Sequence, residues 1–211
     1  MEKDKHASHF DIEIDYKSLI GTKTIELSTG KINIARGSTF TFSAPHEMPQ
    51  IRNGEIKQGE PGTANLAFYL ANISNGSALA TFEEQSSDPN HVQDHPYIEY
   101  VKNLSQGGLV IDLHMMKPRG FEVSLGLGPD HKIVSGLWEV LINDFIDNDV
   151  KVAVNYPFAS KGQTVTAQLQ RFGIPAIQIE LDYSVFDKEN EKHLAVFRSL
   201  QQSALKLKKL I

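Results

Sequence analysis

The chain contains no cysteine in 211 residues. That absence removes disulfides, thiolate nucleophiles and cysteine-bound zinc together, so any metal must be held by histidine, aspartate or glutamate. Long apolar runs are missing as well. No stretch reaches the ~20 residues of a helical membrane span, and the N-terminal MEKDKHASHF lacks the apolar segment of a secretory signal. Positive charge is not in excess: 21 Lys and Arg stand against 26 Asp and Glu, a formal charge of -5. Proteins that grip a phosphate backbone usually carry a concentrated basic surface, and the basic cluster here, LKLKKL, reads as the solvated end of a helix. These absences predict a cytoplasmic protein with neither a nucleic-acid nor a membrane partner. There is no internal repeat or low-complexity linker, and the length suits one well-buried domain spanning 1–211.

What is present is an alternation of strand and helix signals. DIEIDY (11–16) and TKTIELS (22–28) alternate with period two, and with INIA and STFTFSAP they predict an antiparallel or mixed start to a sheet. TANLAFYLANI (63–73) has helical periodicity, SALATF (77–82) is a short strand, and EEQSSDPNHVQDHP is a polar loop. PYIEYVKNL opens a helix with Pro96 in its first turn. GGLVIDLH and FEVSLGLG are strands, and 131–148 predicts one long amphipathic helix in which Trp138 belongs to the core. KVAVNYPF is a strand, GQTVTAQLQRFG a helix closed by Gly173, PAIQIELD a strand, and NEKHLAVFRSLQQSALKLKKLI a closing helix. The pattern predicts an α/β fold, a mixed twisted sheet with helices on both faces.

One strand carries a contradiction. Val110, Ile111 and Leu113 read as a buried strand, yet Asp112 and His114 interrupt it. In α/β sheets ligands sit outside the carboxyl ends of strands. STFTFSAPH ends at His46, GLVIDLH at His114, and PAIQIELD near Glu180 and Asp182. Two imidazoles and a carboxylate, with a further carboxylate left over as general base, form the donor set of a catalytic zinc site. Asp112, two residues before His114, lies on the same strand face and is placed to accept a hydrogen bond from the other nitrogen of a ligand imidazole. The alternative is a pair that bonds only to each other or to loop backbone. In IQIELD, Glu180 lies opposite Ile177, Ile179 and Leu181; the competing account is an exposed carboxylate on an edge strand.

Four blocks in order, SAPHEMPQIRNGEIKQGEPGT, VIDLHMMKPRGFEVSLG, NYPFASKGQT and GIPAIQIELD, resemble the N-formylglutamate amidohydrolase family and its zinc-carboxypeptidase-like relatives, including poly-γ-glutamate hydrolases. The similarity covers roughly residues 38 to 187. It implies a zinc-carboxypeptidase-like fold (phosphorylase/hydrolase-like), a zinc cofactor, and hydrolysis of an amide bond next to a glutamate-like carboxylate. By position it implies His46 as the first metal ligand and His114 as the last. GEPGT is similar to the EGGT segment that carries the middle ligand and so implies Glu60, with Glu47 and Glu55 as alternatives. Glu180 matches a QIE segment that implies the general base or acid. Arg119, like the basic residue after DLH in the relatives, and Arg52 are the candidates to hold a substrate carboxylate.

The helix opened by GQT (162–164) offers N–H groups to an anion or oxyanion. His91, His95, His131 and His193 are assigned to surface or capping roles, with His91 and His95 conceivable at the rim. HEMPQIRNGEIK departs from the glycine-rich stretch of the relatives, which predicts a reshaped pocket and keeps the substrate's name from transferring. The expected partner is a small molecule or peptide bearing a carboxylate. Two other functions compete: an idle binding protein of the same fold that captures a glutamyl or peptide ligand, and a structural or partner-binding domain.

Overall fold

A computed structural model describes residues 22–37 and 40–210. The segment 11–16, expected to be a strand, lies outside the described residues. Among the described residues ten strands form: β1 Lys23–Leu27, β2 Gly30–Ala35, β3 Thr41–Ala44, β4 Gln50–Arg52, β5 Glu55–Lys57, β6 Ser77–Thr81, β7 Val110–Met116, β8 Val123–Gly126, β9 Val152–Val154 and β10 Ala176–Asp182. Five α-helices accompany them: α1 Thr63–Ser74, α2 Pro96–Ser105, α3 Leu137–Asp147, α4 Val165–Arg171 and α5 His193–Leu207. Eight strands build one mixed sheet in the order β1-β2-β6-β3-β7-β10-β8-β9. Its centre, β6-β3-β7-β10, is parallel, while β1-β2, β2-β6 and β10-β8 are antiparallel. The mixed α/β expectation holds.

Helices cover both faces. Leu66, Phe68 and Leu70 of α1, Leu141 and Phe145 of α3, and Val196 and Leu200 of α5 pack on one side with Phe42, Ile111, Leu113, Ile177 and Ile179. Tyr97, Ile98 and Val101 of α2, with Val165 and Leu169 of α4, cover the other side against Leu79, Val110 and Ala176. Side chains alternate across a strand, so Asp112 and His114 fall on the α2/α4 side. That side is apolar at Val110 and Ala176 and turns polar one step on. Ser43 of β3 and Gln178 of β10 are each in register with Asp112, and His114 is in register with Glu180. A row of polar side chains therefore crosses three adjacent parallel strands.

Two expectations need correction. Residues 131–148 do not form one helix: a 3-10 turn, His131–Val134, precedes α3, and Gly136 sits between them at φ 81. A left-handed residue cannot lie inside an α-helix, so α3 starts only after it. The stretch QIRNGEIK, left without an element, is the β4-β5 hairpin. Asn53 and Gly54 take positive φ (54 and 80), as a tight hairpin turn requires, and Arg52 pairs with Glu55. Trp138 packs against the core as expected.

Candidate metal centre

His46 follows β3 directly, after Pro45 has ended the strand. Glu60 arrives from the segment between β5 and α1, and its N–H donates to the His46 carbonyl at 2.7 Å. Gly59 makes this approach possible: a Cβ there would meet the Glu47 carbonyl oxygen at 2.6 Å. His114 comes from within β7. The three donors converge, each offering an atom within 4.8 Å of the others. Glu60 stands between the rings, with Oε1 at 3.0 Å from His46 Nδ1 and Oε2 at 3.1 Å from His114 Nδ1. The two rings meet edge to face with centroids 4.7 Å apart. Both histidines are buried, and Glu60 keeps 11% of its side chain exposed.

The remaining ring nitrogens face buried carboxylates. His114 Nε2 lies 3.0 Å from Asp112 Oδ2, and the other Asp112 oxygen accepts from Ser43 Oγ at 2.8 Å. Asp112 is thus shared between His114 and Ser43. His46 Nε2 lies 2.9 Å from Asp88 Oδ1, which also accepts the Asn90 N–H at 2.8 Å. Asp88 Oδ2 accepts from Arg52 Nε at 2.6 Å and pairs with Arg52 Nη2 at 2.5 Å. Each imidazole is thereby held by a carboxylate on one nitrogen and turned toward Glu60 with the other. A metal-ligating histidine is oriented in this way in general.

Electrostatics follow from these contacts. Burial works against the Glu60 carboxylate, but the charges and hydrogen bonds of His46 and His114 outweigh it and hold the group well below the usual carboxylate range. Asp88 is lowered in the same manner: burial opposes ionisation, and His46 and Arg52 win. Burial disfavours a charged His114, yet Asp112 and Glu60 raise it well above an ordinary histidine. Glu180 goes the other way. Burial pushes it up to about 7, with the Glu60 charge adding to the rise and the His114 charge opposing it. Gln178 Nε2 donates to Glu180 Oε1 at 2.5 Å, and Ser160 Oγ donates to Gln178 Oε1 at 2.6 Å. Since β10 is flanked by β7 and β8 and Glu180 is only 6% exposed, the edge-strand account fails.

Other sequence candidates have different partners. The Glu47 carboxylate accepts the N–H groups of Gly62 and Ala64 and the Thr63 hydroxyl, so it caps α1 and is spent there. Glu55 is exposed on the hairpin. Arg52 is engaged on Asp88. Arg119 is exposed, with its guanidinium 5.6 Å from the Phe158 ring centroid. The start of α4 is not open to an anion: Val165 N–H donates to Asn90 Oδ1 at 2.6 Å and Ala167 N–H to the Thr164 hydroxyl. Asp182 accepts from the Ser184 N–H, ending β10 in a 3-10 turn. His91 bonds Asn53 at the surface. His95 is a buried cap, accepting from the Tyr97 N–H, and burial lowers it to about 4.

Two residues escaped the sequence reading. Asp88 lies in the polar loop 42 residues from His46, and only the fold brings them together. Lys57, the last residue of β5, places Nζ 2.8 Å from His46 Nδ1 and 2.9 Å from Glu60 Oε1. The one local signal for either was the Asn53-Gly54 turn, which marks the hairpin that carries Lys57 and Arg52 inward.

No protein-family model and no curated protein sequence matches the chain. Solved structures do. The chain is similar to the N-formylglutamate amidohydrolase from Ralstonia eutropha JMP134, with TM-score 0.61 and 14% identity over 88% of this chain and 98% of that one. It is similar to a bacteriophage poly-gamma-glutamate hydrolase, with TM-score 0.57 and 12% identity over 89% and 94%. A metallo-carboxypeptidase from Burkholderia cenocepacia aligns over 92% of this chain and 66% of that one, with TM-score 0.50 and 8% identity. The chain therefore shares its fold with an N-formylglutamate amidohydrolase, a poly-gamma-glutamate hydrolase and a metallo-carboxypeptidase, the fold that the four blocks implied. At such identities the likeness concerns the fold, and the chemistry has to be argued from the site.

Proposed function

We propose that the protein is a zinc-dependent hydrolase of an amide bond that adjoins a carboxylate on a glutamate-like group. One observation carries this reading: His46 Nδ1, Glu60 and His114 Nδ1 converge while the other nitrogen of each ring is held by its own carboxylate, Asp88 or Asp112. The donor set fits zinc. Two imidazole nitrogens and one carboxylate leave a coordination position for substrate chemistry, and nothing in the set is soft enough to favour copper(I). The chemistry zinc supplies in such a site is Lewis acidity toward the carbonyl and a lowered pKa for the attacking water.

The chain's own groups do the rest. Glu180 is in register with His114 and is held near neutrality by burial, so it can accept a proton from water and return it to the leaving amine. Gln178 fixes one of its oxygens. Arg119, exposed after β7 and resting over Phe158, is the group we assign to the substrate carboxylate. The solved neighbours named for N-formylglutamate and poly-γ-glutamate support that choice of substrate class.

The test is elemental analysis of the purified protein and of His114→Ala, followed by hydrolysis assays on N-acyl-glutamate and γ-glutamyl substrates. About one zinc per chain in the wild type, lost in the variant, together with amide hydrolysis, is expected. A protein that takes up no zinc when supplied with it would leave the fold with a binding or structural role instead.

A further inference from the structure

At Glu60 Oε1 a ring nitrogen and an ammonium converge. Glu60 Oε1 and the Nδ1 of His46 stand 3.0 Å apart, and Nε2 of His46 is directed at the ionised Asp88. In the neutral form that a metal binds, a ring that donates from Nε2 keeps a lone pair on Nδ1, which then faces a carboxylate oxygen across 3.0 Å. Two lone-pair groups at that distance in a buried setting repel unless a positive group lies against both. Lys57 supplies it. An ammonium has three N–H donors and no acceptor, so its 2.8 Å contact to His46 Nδ1 is a hydrogen bond only if that nitrogen carries no proton. Its 2.9 Å contact to Glu60 Oε1 is charge-assisted. Lys57 therefore selects the ring form that a metal requires, using the same two atoms a metal would use.

Its place in the chain suits a removable occupant. Lys57 ends a two-stranded hairpin outside the main sheet, its side chain is 30% exposed, and the stem is long and flexible. Arg52, across the same hairpin, stays bound to Asp88 and needs no movement.

We infer that Lys57 is the resident cation of the metal-free centre: it holds His46 and Glu60 in the metal-ready arrangement and is expelled toward solvent when zinc binds. This rests on the zinc reading given above. Lys57 thus sets how tightly the protein holds its metal, as a positioning residue and not a metal ligand.

The experiment uses the full-length chain, wild type and Lys57→Met, with Lys57→Gln as a second variant of different shape. Zinc affinity is measured by competition with a chromophoric chelator, and labelling of the Lys57 amine by an acylating reagent is followed by mass spectrometry with and without zinc. Removing the competitor should tighten zinc binding by about tenfold or more. In the wild type, labelling of Lys57 should rise severalfold on zinc addition, while labelling of the exposed Lys208 stays constant. Metal-free Lys57→Met should melt a few degrees below metal-free wild type, and the gap should close once zinc is bound. Equal zinc affinities in all three proteins overturn the inference and leave the zinc site standing. Tighter binding without a change in Lys57 labelling also overturns it, because the ammonium then acts from a distance and does not exchange with the metal. Failure of wild type and both variants to bind zinc removes the inference together with the reading beneath it.

Discussion

Glu60 and Asp144 are both carboxylates withdrawn from water, and both touch a lysine, yet they serve different ends. Asp144 lies on α3 at its packing with α5, fully buried. One of its oxygens accepts from the Ser203 hydroxyl at 2.8 Å and the other from the Lys206 ammonium, while its main-chain carbonyl accepts from Ser199. Donors and acceptors match, and both side-chain partners are on one neighbouring helix. Glu60 instead collects two ring nitrogens, the Lys57 ammonium and the Met115 N–H from three separate segments. Two of these partners are imidazoles whose other nitrogens are held by Asp88 and Asp112. A buried carboxylate with a lysine is an ordinary helix-helix device; two imidazoles and a carboxylate that converge from separate elements mark a place for a cation.

The largest effect should come from Glu180→Gln. Loss of a positioned acid-base group costs about 10²–10⁴ in rate, and zinc content should stay at the wild-type level. The same variant has a signature in stability. Burial raises Glu180 from 4.5 to about 7, so between those values the folded protein holds a proton that the unfolded chain has released. Its contribution is complete below pH 4.5 and is lost as pH rises through about 7, a span worth on the order of 3 kcal/mol in the metal-free protein. His114, raised in the folded state, adds its own loss above its unfolded value near 6.5. The Glu180 part is isolated by subtracting the urea-unfolding free energies of Glu180→Gln from wild type across pH 4–8. A difference that does not change with pH would refute the burial account of this carboxylate.

Next in size are the carboxylates that aim the rings. Asp88→Asn and Asp112→Asn should each weaken zinc binding by about 10- to 100-fold, because the amide removes the charge that fixes its histidine. Asp88→Asn should also free Arg52, whose two contacts end on the same Asp88 oxygen. Chelator competition reads both effects. An Asp88 variant that binds zinc like wild type would reduce that residue to the status of Asp144.

The centre was legible in the sequence only where strand periodicity reached. His114, Asp112 and Glu180 lie in β7 and β10, where a two-residue step fixes the face, so their grouping followed once the strands were recognised. His46 stood at the end of the strand STFTFSAP, whereas Glu60 came from the likeness of GEPGT to the hydrolase relatives, with Glu47 and Glu55 left open. The structure sets Glu60 between the two rings and Glu47 on the first turn of α1. Asp88 and Lys57 could not be foreseen, because a loop and a small hairpin bring them in from outside the sheet. The split of 131–148 was hidden for another reason: apolar spacing persists through Gly136, and only its backbone angle interrupts the helix. Periodicity reports which face is buried, and it is silent on contacts made across loops.

The smallest effect tests the contrast from the structural side. Asp144→Asn keeps the shape of the side chain but leaves the Lys206 ammonium without its counter-charge and the Ser203 hydroxyl with a weaker acceptor. Because Lys206 is 54% exposed, water can take over its ammonium, and the loss should stay at about 1–2 kcal/mol. In a chain of this length that corresponds to a drop of about 2–8 °C in melting temperature. Zinc affinity and hydrolysis should be unchanged, since α3 and α5 lie on the opposite face of the sheet from Asp112 and His114. A thermal melt and a chelator titration on the same sample decide the matter. If the variant lost zinc as well as stability, the two carboxylates would belong to one coupled unit, and convergence from separate elements would no longer separate a cation site from a helix contact.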